Sequence, residues 1–253
     1  MSIKLRIMSD LHLEKDLGWM LPVMDGEIDQ VLILAGDIVP FSMLYKIMPF
    51  FEDLSRRFKK VIYVPGNHEY YGGDVSKSKQ LATYKLSKLR NIKVLDNEHI
   101  VIDGVYIFGA TLWTDLNGAI LEQVYSKADY RNIHIGRRNL TPARTMWENQ
   151  YSTDLIKKFN KAEVGAKKVL VTHHPVSYDF CSPRWANAES NPMFYNEMDW
   201  DDLSNFSVIV SGHTHDSVHI DKGATQGYIN PRGYPSEIFM GAAFNPFLVV
   251  EVD

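Results

Sequence analysis

Apolar residues along this 253-residue chain fall in short runs, and several of these runs lead directly into polar residues of chemical interest. Ile3 to Met8 leads into Ser9-Asp10-Leu11-His12, Val31 to Leu34 into Ala35-Gly36-Asp37, and Val61 to Val64 into Pro65-Gly66-Asn67-His68-Glu69. Further on, Lys168 to Thr172 leads into His173-His174-Pro175, and Ser207 to Val210 into Ser211-Gly212-His213-Thr214-His215. Runs of this length, bounded by turn residues, read as buried strands. Between them the spacing predicts helices over 41–59, 74–90 and 141–161, the last with Met146, Trp147, Leu155 and Phe159 at its apolar positions. Strands are expected at 92–96, 98–102 and 105–111, with Asp103-Gly104 as a two-residue hairpin turn, and again at 216–221, 226–230 and 246–252. The alternation predicts an α/β fold with sheet on sheet and helices outside. No repeat or linker interrupts it, so residues 1–253 are expected to form one domain. Two stretches, 115–140 and 175–203, stay irregular and rich in Tyr, Trp and Asn, and are expected to face substrate.

In such folds the carboxyl ends of parallel strands collect at one edge. Residues placed just after five separate strands therefore converge: Asp10, His12, Asp37, Asn67, His68, His173, His213 and His215 are expected to line one cleft. Asp10 and His12 are two apart, so extended backbone points both side chains the same way, and the same argument applies to His213 and His215 unless a turn sends them to neighbouring ions. A His-x-His pair alone is more often exposed or hydrogen-bonded than metallated. Five motifs in order, each after its own strand, point to metal.

Composition narrows the chemistry. A formal charge of −4 gives no electrostatic case for a nucleic-acid surface, and one cysteine, Cys181, excludes an internal disulfide and a thiolate-rich metal site. No run approaches the roughly 18 apolar residues of a membrane span and the first residues carry no signal-like stretch, so a cytoplasmic protein with no membrane partner is expected.

Taken together, Asp10-Leu11-His12, Gly36-Asp37, Gly66-Asn67-His68-Glu69, His173 and Gly212-His213-Thr214-His215 resemble the ordered motifs of the calcineurin-like metallophosphoesterases, in particular their compact bacterial and phage members. The resemblance implies a four-layer α/β/β/α sandwich of two mixed sheets flanked by helices. It also implies two metal ions: Asp10, His12 and His215 on the first, Asn67, His173 and His213 on the second, and Asp37 bridging both. A ligand set of imidazole, carboxylate and amide suits Mn, Fe, Zn, Co or Ni. The implied reaction is direct hydrolysis of a phosphoester by a metal-bridging hydroxide, with His68 protonating the leaving oxygen.

Other residues are read by analogy or by position. Glu69 is expected to orient a neighbouring imidazole, and His174 to serve as packing beside the ligands. Arginines in irregular stretches, chiefly Arg131, Arg184 and Arg232, are candidates for contacting the phosphate. Asn230-Pro231-Arg232-Gly233-Tyr234 reads as a tight turn. After the bridging Asp37 the chain continues Ile38-Val39-Pro40, without the Asp-Arg-Gly of protein serine/threonine phosphatases, so a small phosphodiester, nucleotides included, is the leading substrate class. Trp113, Tyr130 and Trp185 are candidates for stacking on a base. A phosphomonoesterase with the same site is the alternative; a nuclease or a non-catalytic binding scaffold fits the length, charge and complete ligand set less well.

Overall fold

In the computed structural model, residues 2–185, 187–239 and 243–253 are described, the side chains of Arg184 and Phe239 excepted. The strands, in chain order, are β1 (Ile3–Met8), β2 (Gln30–Ala35), β3 (Lys60–Val64), β4 (Gly73–Asp74), β5 (Ile92–Val94), β6 (Glu98–Ile102) and β7 (Val105–Ala110), then β8 (Ile133–Ile135), β9 (Arg138–Asn139), β10 (Lys168–Thr172), β11 (Val208–Ser211), β12 (Val218–Lys222), β13 (Thr225–Ile229) and β14 (Val249–Val252). One sheet has the order β14-β1-β2-β3-β5, the second β12-β13-β11-β10-β7-β6, and a small third β4-β8-β9. Within the first, β1, β2, β3 and β5 run parallel and β14 returns antiparallel beside β1. Within the second, β7, β10, β11 and β13 are parallel, with antiparallel β6 and β12 at the edges.

Alternation along the strands separates four layers. Ile3, Leu5, Ile7, Val31, Ile33, Ile62 and Val64 meet Ile107, Val169, Val171, Val208 and Val210 in one buried cluster, so the two sheets pack face to face. The intervening residues Leu32, Leu34, Val61 and Tyr63 point the other way, onto Phe50, Phe51 and Leu54 of α1 (Met48–Arg57) and Ala82 and Leu86 of α2 (Val75–Leu86). On the far side, Phe108, Leu170 and Ile209 pack on three segments: Ile156 and Phe159, Phe180, and Leu203 and Phe206. The first pair belongs to the 20-residue helix Pro142–Lys161. The result is the α/β/β/α sandwich expected from the motifs.

Several boundaries differ from expectation, each for a local reason. The segment from 41 begins as a 3-10 turn over Phe41–Ile47 and becomes α-helical only from Met48, because Pro49 in the first turn has no N–H to continue a helix arriving from behind it. The three strands expected near 92–111 divide between the two sheets. Ile92–Val94 joins the edge of the first sheet beside β3, while β6 and β7 form the expected hairpin in the second. Asp103 and Gly104 take left-handed φ values of 51° and 80°, as the two central residues of that tight turn require. The stretch 115–140 holds α3 (Leu121–Ser126), α4 (Asp129–Asn132) and the β8–β9 hairpin; among the described residues of 175–203 the only elements are 3-10 turns. Among the described residues no helix is long and apolar enough to cross a membrane.

Candidate metal centre

The strands deliver their polar residues to one edge by bending sharply after each run. β1 ends at Met8, and Asp10 and His12 both have left-handed φ, 51° and 45°, as do Asp37 (55°), His213 (70°) and His215 (54°). The shared direction of Asp10 and His12 thus comes from a turn, not from the extended backbone assumed above. Two motif glycines have a steric reason. A Cβ on Gly36 would lie 2.2 Å from His173 Nδ1, and one on Gly66 would lie 2.2 Å from Asp37 Oδ1 and 2.7 Å from His173 Nε2.

Three groups of donor atoms result, each within 4.8 Å of one another: Asp10 with His12 and His215, Asp37 with His173 and His213, and His12 with Asp37 and His68. In the first, His12 Nε2 and His215 Nε2 are 3.0 Å apart and His215 Nε2 lies 3.4 Å from Asp10 Oδ1. In the second, His173 Nε2 is 3.1 Å from Asn67 Oδ1, 3.2 Å from His213 Nδ1 and 3.3 Å from Asp37 Oδ1. The rear nitrogens of three rings face acceptors: His12 Nδ1 meets Glu14 Oε1 at 3.2 Å, His215 Nδ1 meets Glu237 Oε2 at 2.7 Å, and His173 Nδ1 meets the Ala35 carbonyl at 2.9 Å. Each acceptor takes an N–H, which turns the Nε2 lone pair of that ring toward its cluster. Lone pairs facing one another at this range need positive charge between them. Burial opposes protonation of His173 and His215, yet Asp37 and Asp10 raise His173 to about 9, and Asp10 with Glu237 raises His215 to about 10. Donor chemistry, spacing and charge demand all fit divalent transition metals.

His68 stands beside this edge and opens into the cavity. Its ring stacks on Tyr71 at 4.1 Å, its Nε2 is 3.4 Å from the Tyr234 hydroxyl and 3.9 Å from Asp37 Oδ2, and its Nδ1 is 3.9 Å from Glu14 Oε1. Burial would lower its pKa, but Asp37, Glu14 and Asp129 outweigh that and raise it. His174 is buried, its Nδ1–H directed at the Thr111 carbonyl, and its ring packs 4.2 Å from that of His213; burial and His173 hold it down at about 3, hence neutral.

Glu69 does not touch an imidazole. Its fully buried carboxylate accepts the backbone N–H groups of Gly66, Asp37, Ile38 and Val39 and the Tyr63 hydroxyl, tying the turn after β2 to the turn after β3. Sequence reasoning missed the residues that back the donors. Glu14, two residues after His12, was within reach of the motif. Glu237 and Asp129 come from stretches without any motif, and Asp129 Oδ1 accepts from Asn67 Nδ2 (2.9 Å) and the Tyr71 hydroxyl (2.6 Å). The stretch 230–234 is more than a turn: Asn230 Nδ2 donates to the Ile7 and Asn245 carbonyls, and the Tyr234 ring stacks on His12 at 4.3 Å.

A cavity of about 530 Å³ opens above the donors, with Asp37, Asn67, His68, His213 and His215 in its lining. Trp113, Tyr130 and Trp185 line it too, with Tyr71, Phe194 and Tyr195. Two of the three candidate arginines stand elsewhere. Arg131 is exposed and outside the lining, and Arg232 is buried against Asp16 Oδ2 (2.6 Å), the Leu11 carbonyl and the Trp19 ring. The Arg184 side chain lies outside the described residues. His99, His134 and His219 do not line the cavity.

Residues 3–217 match the calcineurin-like phosphoesterase family. The chain belongs to that family. As a member it is a metal-dependent phosphoesterase, and its buried His/Asp clusters are those of a dinuclear site typical of the family. An uncharacterized protein of Acanthamoeba polyphaga mimivirus, L509, is 29% identical over 282 aligned positions, which cover 98% of this phosphoesterase and 96% of the relative. The fold is also that of the phosphopantetheinyl hydrolase PptH from Mycobacterium tuberculosis, with a TM-score of 0.76 over 99% of this chain and 96% of that one at 19% identity.

Proposed function

We propose that this phosphoesterase hydrolyses a phosphodiester at a two-metal centre, with Asp10, His12 and His215 on one cation, Asn67, His173 and His213 on the other, and Asp37 between them. The observation that carries the reading is the convergence of these donors beneath a cavity that Asp37, Asn67, His213 and His215 line and that also receives His68, with Asp10, His12 and His173 buried behind them. The cations, when bound, neutralise charge on the phosphoryl oxygens and acidify water. The chain's own residues do the rest. Glu14, Glu237 and the Ala35 carbonyl fix the tautomers of His12, His215 and His173, and Asp129 holds the Asn67 amide so that its oxygen faces His173. His68, steadied by Tyr71 and Tyr234, donates the Nε2 proton to the departing oxygen.

A diester is favoured over a monoester by charge. A terminal phosphate carries a second negative charge, and among the described residues no arginine lines the cavity and no lysine pairs with the donor cluster to meet it. The cavity also has room for an ester arm beside the scissile group, within the usual size of ligand sites. The test compares bis(p-nitrophenyl) phosphate with p-nitrophenyl phosphate, using protein stripped of metal and reloaded with Mn²⁺, and Asp37→Ala as control. Diester turnover that needs both metal and Asp37 is expected. A preference for the monoester would assign the site to a phosphomonoesterase, and turnover of neither would return the chain to the scaffold reading.

A further inference from the structure

Lys127 is the one lysine or arginine lining the cavity among the described residues. It caps the end of α3, half-buried, and its ammonium lies 4.3 Å from the centre of the Phe194 ring. Phe194 in turn packs 5.2 Å from the His213 ring. The lysine therefore stands on the wall one aromatic neighbour away from the donor cluster, and it forms no ion pair with Asp10 or Asp37.

The carboxylates around the cavity are already engaged. Asp37 belongs to the donor groups, Asp129 accepts from Asn67 and Tyr71, and Glu237 accepts from His215 and from the Tyr234 N–H. Lys127 has no hydrogen-bond or ion-pair partner for its ammonium among the described residues, only the π face of Phe194. A cation drawn partly out of water normally meets an anion, and a ring face compensates only in part. Burial lowers its pKa and Asp129 opposes that shift, consistent with a cation short of a counter-charge. Around it the wall is aromatic, with Trp113, Tyr130 and Tyr195 in the same lining.

We propose that Lys127 is a specificity-determining residue that binds a second anionic group, a phosphate or carboxylate, on an aromatic or apolar arm of the phosphodiester substrate. This rests on the phosphodiesterase reading above. It assigns the scissile phosphate to the donor cluster and the distal anion to the wall, with the arm between them against Phe194.

Two chromogenic diesters test it on the metal-loaded protein: thymidine 5′-(p-nitrophenyl phosphate) and the same molecule carrying a 3′-phosphate. Loss of one charge-assisted contact raises the KM of Lys127→Met for the substrate with the added 3′-phosphate about tenfold or more, with kcat little changed, and leaves the one without it within about twofold. Lys127→Arg restores the preference. Calorimetry gives a second readout, since adenosine 3′,5′-bisphosphate should lose affinity in Lys127→Met while adenosine 5′-monophosphate should not. Equal losses on both diesters would place Lys127 on the scissile phosphate and overturn the proposal, as would no loss on either. If the wild-type protein cleaves bis(p-nitrophenyl) phosphate but shows no preference for the extra phosphate, the distal site falls and the phosphodiesterase reading stands. If it cleaves no diester, both fall.

Discussion

In the layer beneath the cavity, its floor, polar side chains are gripped by different parts of the fold: Asp10 accepts the His213 N–H, His173 leans on the Ala35 carbonyl, and Glu69 gathers four backbone amides. The wall is built otherwise. Among the described residues, 113–130 and 181–195 offer aromatic faces, a half-buried lysine, two short helices and 3-10 turns. The floor has the order that fixed ligand geometry requires, and the wall has the shape that a particular substrate requires. One half of the site therefore sets the reaction and the other sets what reacts.

The sharpest way to break this comparison is at the floor. Asp37→Ala is expected to lower kcat by about a thousandfold or more, because the proposed reading puts this one carboxylate on both cations. His213→Ala is expected to lose about one metal equivalent while the circular dichroism spectrum stays native. Full activity in either variant would contradict the division. A subtler break lies where wall meets floor. Asp129→Ala frees the Asn67 amide to turn, and metal titration should show one site weakened by roughly 10–100-fold with the other unchanged. Two equal sites in that variant would mean that the wall plays no part in holding the cation.

Two further measurements sharpen it. Glu27 is buried between Arg6 and Arg57 and is not part of the cavity lining, so Glu27→Ala should cost about 3 kcal/mol of stability in urea with KM untouched. Burial pushes that carboxyl up, but the Arg57 and Met24 donors hold it below the usual range. Its contribution should therefore be complete above roughly pH 5 and fade as pH falls through the folded value; stability that stays flat on acidification would argue against it. The smallest effect belongs to the wall. Trp185→Ala is expected to raise KM severalfold for a nucleotide diester and barely for bis(p-nitrophenyl) phosphate, and parallel changes would remove stacking from the account.

The same division explains what could be read in advance. The strands and the donor residues of the floor were legible because a buried strand followed directly by a ligand-type residue leaves a local signature, five times over and three times with Gly36, Gly66 or Gly212 between them. Glu14 was nearly legible, lying inside the first motif's own turn. Asp129, Glu237 and Tyr234 were not, since each acts through an imidazole or amide far away in sequence and its own neighbourhood has no distinctive pattern. The arginines were sought because phosphate favours guanidinium, yet Arg232 is held by Asp16 and Arg131 points outside the cavity lining, while the wall's cation is a lysine at a helix end. Periodicity also missed the passage of the chain from one sheet to the other after Ile92–Val94. Strand character is local, and sheet membership is decided by a distant partner, here the Tyr63 carbonyl that receives the Leu95 N–H.

Five donor residues sit in a backbone region that side chains normally avoid, at a cost on the order of 1–3 kcal/mol each unless surrounding contacts impose it. Durability and activity therefore pull in opposite directions at Asp10, His12, Asp37, His213 and His215. A copy of this sequence released from its substrate would gain by admitting glycine or asparagine at those turns. In a decaying lineage the site is expected to erode before the sandwich that carries it.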